Sequence, residues 1–334
     1  MSTEDKLNSS NHNNEKLLLK NLLLVKDKIL KKKLESLSIP DDMKVFARYS
    51  KNNLHIIGVE SNEKISNKLI LMAIPGSCHG NWSFIDLLKP LADNKIEIII
   101  LSLPGEGESK PINKNFNLIS VNDYTKEVKN FLEELKKPVI LLGHSFGGLL
   151  AQKLSAMAEL NKIIKGLFLI SSVPPSNLRY RDKKESGKIF SPKDNPKWIE
   201  SLFSQDDKQN NDYKWWVDQL KSSKFPVNVV NNYGINKKGG LINPREIQVP
   251  VIELAGTKDM DSITNLYFNS SNITELLPGH VDRKMGIAEF YIKEGECPLG
   301  KTITIEGAPH DMMLGKYSSK TAEIILDNFK IFIN

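Results

Sequence analysis

The stretch Val139-Ile140-Leu141-Leu142-Gly143-His144-Ser145-Phe146-Gly147-Gly148 constrains this chain more than any other. A continuous apolar run of strand character stops at a glycine, and one serine follows between two glycines. The sequence then passes straight into a helical pattern through Leu149, Leu150, Leu154 and Met157. The spacing predicts a strand, a sharp turn and a helix. Gly143 and Gly147 flank Ser145 because so tight a turn tolerates no side chains pressing on it, and the backbone of the serine itself is expected to be strained. The hydroxyl is thereby raised above the end of a sheet.

The flanking sequence repeats this alternation. Lys44-Val45-Phe46-Ala47-Arg48-Tyr49 and Leu54-His55-Ile56-Ile57-Gly58-Val59, joined by Ser50-Lys51-Asn52-Asn53, read as an antiparallel hairpin. Leu69 to Ile74, Ile96 to Leu103, Ile163 to Ile170, Val249 to Leu254 and Ile303 to Ile305 read as further strands. Helical periodicity lies between several of them, through Leu87 and Leu91, from Asp123 to Leu135, and finally from Lys320 to Phe332. Strands alternating with helices at this spacing predict a mostly parallel sheet covered by helices on both faces. The alternation stops from Pro174 to about Asn243. That segment, rich in Lys, Asn and Asp with embedded Trp198, Phe203, Tyr213, Trp215, Trp216 and Phe225, reads as a helical cap over residues 174–245. Its aromatics suit anchoring of the cap to the body, or the lining of an acyl pocket. A second long connection, from Ser262 to Gly300, matches no element.

Charge is localised. Residues 16–34 hold seven lysines against the single Asp27, which equals the whole formal net charge of +6. The remaining chain is near neutral and lacks the basic, aromatic-interleaved stripe of a nucleic-acid binder. After a polar tail, Leu18, Leu22, Val25 and Ile29 recur at helical spacing, so residues 1–44 are expected to be a tail followed by a basic amphipathic helix. Such a helix packs on its own domain or lies on an anionic membrane surface. No apolar run is long enough to span a bilayer, which takes about 18 residues. Cys78 and Cys297 are the only cysteines, and no leader pattern opens the sequence, so two free thiols in a cytoplasmic protein are expected.

The Gly143–Gly147 turn is a G-x-S-x-G elbow, and in this strand and helix context the chain resembles the α/β-hydrolase superfamily. The loop Gly76-Ser77-Cys78-His79-Gly80-Asn81-Trp82 resembles the methylesterase and hydroxynitrile lyase branch, where a Cys-His-Gly-x-Trp run occupies this place. Leu103-Pro104-Gly105-Glu106-Gly107-Glu108-Ser109 and His310-Asp311-Met312-Met313-Leu314 extend the likeness over residues 45–173 and 246–334. The cap and the N-terminal extension lie outside it. The resemblance implies the α/β-hydrolase fold and the chain order nucleophile, acid, histidine.

A serine hydroxyl is a poor nucleophile at neutral pH and needs a base held by a carboxylate. Asp259 follows the strand Val251–Ala255 on a loop and is the expected acid, with Asp261 its rival; His310, on a Gly/Pro loop after the last strand, is the expected base. The amides of Ser77 and Phe146 are the expected oxyanion hole. His79 and His144 precede the acid in sequence and are expected to shape the site. A serine at the elbow excludes the dehalogenases and epoxide hydrolases of this fold, which use aspartate. The expected activity is hydrolysis of a small or medium carboxylic ester or thioester through an acyl-enzyme, with no metal and no organic cofactor. The alternatives are a small-molecule receptor and a non-hydrolytic, lyase-like member of the fold. Cyanohydrin cleavage is disfavoured, because that branch carries a lysine immediately after the histidine to meet cyanide, and Asp311 stands there, beside the leaving group.

Overall fold

Eight strands pair into one sheet. A computed structural model describes residues 22–63, 68–181, 189–226, 228–229, 238–259, 282–283 and 286–333. The strands are β1 (Met43–Tyr49), β2 (His55–Ser61), β3 (Ile70–Ile74), β4 (Ile98–Leu101), β5 (Val139–His144), β6 (Ile164–Ile170), β7 (Val251–Gly256) and β8 (Gly300–Ile305), in the spatial order β1-β2-β4-β3-β5-β6-β7-β8. β1 and β2 form the expected hairpin, with Val45 opposite Val59, and β2 meets β4 antiparallel; every pairing from β4 to β8 is parallel. β3, β4, β5 and β7 are buried at every residue, because helices cover both faces of parallel strands. β8 closes the sheet as a half-exposed edge.

Two pairs of helices provide that cover. The helix α2 (Ile85–Asp93) packs with the C-terminal α8 (Ser318–Phe329), while α3 (Val121–Leu135) packs with α4 (Phe146–Ser155). In α3 the Ser120 and Asp123 side chains each cap the other's backbone, which starts the helix two residues before the expected Asp123.

Between β6 and β7, in the segment where the alternation stops, the chain carries α5 (Pro196–Ser201) and α6 (Tyr213–Ser222). Its aromatics anchor. Trp216 is fully buried and stacks on Phe203 at 5.8 Å, and Phe225 sits against Phe146 at 5.3 Å. The unassigned connection from 262 to 300 resolves in part: α7 (Ile287–Glu294) is a crossover helix on β7 and β8. Its start is held by a residue of the sheet, since buried Glu253 accepts from the amides of Ile287 at 2.7 Å and Ala288 at 3.3 Å, and from the Thr302 hydroxyl at 3.0 Å.

The N-terminal helix departs from expectation. Among the described residues the regular helix α1 is Lys28–Glu35, preceded by a non-helical stretch at 23–27, because the Asp27 side chain accepts from the amides of Ile29 and Leu30 and caps a new start inside the basic stretch. Leu22, Val25, Leu30 and Leu34 are buried, whereas Ile29, read as part of the inward face, is 46% exposed; Leu18 lies outside the described residues. The buried face meets the β6–β7 segment. Asp27 accepts from Gln219 at 2.7 Å and from the Trp215 indole at 3.3 Å, and Lys33 pairs with Asp212 at 2.5 Å. No helix among the described residues is long and apolar enough to cross a membrane.

Candidate active site

Ser145 ends β5 and begins α4 with φ 50° and ψ −121°, a conformation L-residues rarely adopt. The turn is held open by its neighbours. The Ser145 amide donates to the Ile170 carbonyl at 3.0 Å, and the Ser145 carbonyl accepts from Gly148 at 2.9 Å and Val173 at 3.0 Å. Gly147 is required by a close approach: a Cβ there would stand 2.1 Å from the Ile74 carbonyl oxygen. The elbow is therefore pressed onto the end of β3, which is where the sequence places the oxyanion loop.

β7 and β8 are parallel neighbours, so the loops at their C-terminal ends leave the sheet together. Lys258 donates its amide to the Ala308 carbonyl at 3.0 Å, and Gly307 donates to the Thr257 hydroxyl at 2.7 Å. This stitching brings Asp259 Oδ1 to 2.7 Å from His310 Nδ1. A carboxylate only accepts, so Nδ1 carries the proton and Nε2 is left as the basic nitrogen. Asp261 lies outside the described residues. The Ser171 hydroxyl donates to the His310 carbonyl at 2.9 Å, and Ser171 follows the residue that holds the Ser145 amide, which ties the His310 loop to the elbow.

The third loop follows β3. Gly76-Ser77-Cys78-His79 forms a turn closed by the His79 amide on the Gly76 carbonyl at 3.3 Å, with Cys78 at φ 65°. Gly76 packs so tightly on the serine that a Cβ would lie 2.9 Å from the Ser145 Cβ. Ser77 follows this contact directly in the chain, as Phe146, first residue of α4, follows the serine. Trp82 of the same loop stacks on His79 at 5.5 Å and meets Trp215 of α6 edge-on at 6.1 Å, which joins this loop to the β6–β7 segment.

Behind the site lies a buried polar cluster. His79 and Asp311 are each 1% exposed and His144 is fully buried; His79 Nε2 stands 2.9 Å from Asp311 Oδ2, and His144 Nε2 3.5 Å from Asp311 Oδ1. Burial pushes His144 well below the usual histidine range, and the nearby His310 and His79 push it further, so its ring is neutral. The expectation that Asp311 stands beside a leaving group needs correction: its carboxylate turns to His79 and its amide donates to the Leu202 carbonyl at 2.9 Å. Sequence patterns offer no signal for a pair 232 positions apart. Glu106, on the loop after β4, also escaped that reading; it is buried, accepts from the Ser223 hydroxyl at 2.6 Å, and is pushed up to about 8 by desolvation.

A G-x-S-x-G elbow after the fifth strand of a sheet in this order defines the α/β-hydrolase class. The chain belongs to the alpha/beta hydrolase family, whose model matches residues 71–322 of the 334. It is 29% identical over 103 residues to methylesterase 10 of Arabidopsis thaliana, covering 30% of this chain and 36% of that protein. It is 33% identical over 108 residues to salicylic acid-binding protein 2 of Nicotiana tabacum, covering 31% and 39%. The chain thus spans little more than a third of the length of these relatives. Among solved structures, naproxen esterase from Bacillus subtilis superposes with a TM-score of 0.61 at 12% identity, over 89% of this chain and 94% of that one, a likeness of fold.

Proposed function

We propose that this protein is a serine carboxylic ester hydrolase acting on a small or medium ester or thioester through an acyl-enzyme. The observation that carries the reading is the 2.7 Å contact of Asp259 Oδ1 with His310 Nδ1 beside a serine held at φ 50°. In this reading His310 takes the Ser145 proton, and Asp259 orients the imidazole and stabilises its cation. The amides of Ser77 and Phe146 receive the oxyanion. His310 then protonates the departing alcohol, and water hydrolyses the acyl group by the same route reversed. No metal or organic cofactor enters these steps. The two free, buried cysteines suit a cytoplasmic setting. The test is an ester chain-length series, assayed with Ser145→Ala alongside. Turnover by the native protein with loss of several orders of magnitude in the variant supports the reading, and unchanged fluorophosphonate labelling of the variant would move the reactive serine elsewhere.

A second reading, a receptor that keeps this site to bind a small ligand, draws on the relative named for binding salicylic acid. Tight binding of salicylate without turnover of any ester in the series would favour it.

A further inference from the structure

The buried contact between His79 and Asp311 obeys a strict proton count. The Nδ1 atom of His79 lies 2.8 Å from the carbonyl oxygen of Ser77, and a carbonyl only accepts, so Nδ1 carries a hydrogen. In neutral imidazole that leaves a lone pair on Nε2. Nε2 nonetheless stands 2.9 Å from Asp311 Oδ2, and an ionised carboxylate has no hydrogen to give. Two acceptors at that distance in a buried site repel, so one proton sits between them, on the ring or on the acid. The pair is then neutral as a whole, which suits its burial.

A bridging metal ion fits less well. The donor atoms of His79, His144 and Asp311 spread over 4.8 Å, whereas ligands on a tetrahedral ion with bonds of about 2.0–2.2 Å stand about 3.4 Å apart. A single proton satisfies the 2.9 Å contact without moving any atom.

The pair joins two loops that the reaction needs in register. On one side His79 grips the carbonyl of Ser77, the residue whose amide is assigned to the oxyanion, in a turn strained at Cys78. On the other side Asp311 is the peptide neighbour of His310. Trp82 stacked on the ring restricts its rotation.

We propose that His79 and Asp311 form a proton-bridged positioning pair that locks the Ser77 turn to the His310 loop. Neither side chain touches substrate; both act through their neighbours. The proposal rests on the assignment of Ser145, His310 and the Ser77 amide given above.

The substitution Asp311→Asn separates this role from a charge effect, because the new side-chain amide can donate a hydrogen to the Nε2 lone pair of a neutral His79, keeping the link and losing the charge. With a p-nitrophenyl ester, Asp311→Leu and His79→Phe are expected to lower kcat roughly 10–100-fold with KM within about 3-fold, since a displaced oxyanion donor weakens only the transition state. Asp311→Asn is expected to recover most of the lost kcat. An Asp311→Asn protein as poor as Asp311→Leu would overturn the proposal in favour of the carboxylate charge acting on His144, whose Nε2 stands 3.5 Å from Asp311 Oδ1. Unchanged kcat in all three variants would overturn it outright. Long-range 1H–15N spectra of the native protein supply a readout that needs no activity and no folded variant: His79 is expected with Nδ1 protonated, and an unprotonated Nδ1 refutes the pair. Stoichiometric zinc uptake lost in His79→Phe would replace the proton by a metal. If Ser145→Ala remains active, the hydrolase assignment fails while the His79 spectrum still stands or falls alone.

Discussion

The hydroxyl of Ser223 donates to Oε2 of Glu106 at 2.6 Å, a bond that fastens the end of α6 to the loop after β4 through a carboxyl group with almost no solvent contact. The same loop meets the N-terminal segment, where Glu108 accepts from the amides of Lys26 at 2.7 Å and Asp27 at 3.2 Å. Three parts of the chain distant in sequence therefore depend on two glutamates of one loop.

Glu106 makes stability fall with rising pH. Its carboxyl is raised from 4.5 to about 8 by burial, so below pH 4.5 folded and unfolded chains are both protonated and the group contributes nothing. Between pH 4.5 and about 8 the unfolded chain releases a proton that the folded chain keeps, and a penalty of a few kcal/mol builds. Glu106→Gln still accepts from Ser223 and escapes the penalty. Thermal melts at pH 5 and pH 9 are expected to show the variant matching native protein at the low pH and exceeding it at the high; parallel curves would place the Glu106 carboxyl in water.

Asp259→Asn is expected to lower kcat by roughly four orders of magnitude, because the amide orients the imidazole in the wrong tautomer and leaves its cation unsupported. Asp261→Asn is expected to cost much less. Steady-state kinetics on one activated ester compares them, and a larger loss at Asp261 would reverse the assignment.

Removal of residues 1–38 is expected to destabilise the protein. It strips Leu22, Val25, Leu30 and Leu34 from the core, each worth about 1.5–3 kcal/mol when fully buried, together with the bonds from Asp27 to α6. A truncated protein that melts at the native temperature would show that this packing contributes little.

The outer side of the same segment has a different character. Leu23, Leu24 and Ile29 are 68%, 40% and 46% exposed among exposed Lys26, Lys28 and Lys32, an apolar and basic rim suited to an anionic lipid surface. Sedimentation with phosphatidylserine vesicles is expected to recover the native protein and to lose a Leu23→Ser, Leu24→Ser, Ile29→Ser variant whose melting temperature is unchanged. Equal sedimentation of both would remove the membrane from the account.

Cyanide release from mandelonitrile or acetone cyanohydrin is expected to be negligible beside ester turnover. A departing cyanide needs a positive charge after the histidine, and Asp311, bonded to His79, supplies none. Cyanide release faster than ester hydrolysis would overturn the assignment.

The elbow, the strands and the positions of Asp259 and His310 were legible in the sequence because each is a local pattern. A buried parallel strand is written as an apolar run, and a close approach such as that of Gly147 to Ile74 admits only glycine. The register of β7 with β8 then carries Asp259 to His310 almost automatically, since parallel neighbours release their loops at the same edge. Tertiary structure alone decided the rest. Where the helical pattern read from Glu15 to Leu34 restarts, at Lys28, depended on Asp27, which reads as one more surface charge until its bonds to Ile29, Leu30, Trp215 and Gln219 are seen. Asp311 reads as a charge beside the site, and only the fold turns it to His79, because an ionisable group in a dry interior takes whatever partner the packing brings, and sequence separation places no limit on which residue that is.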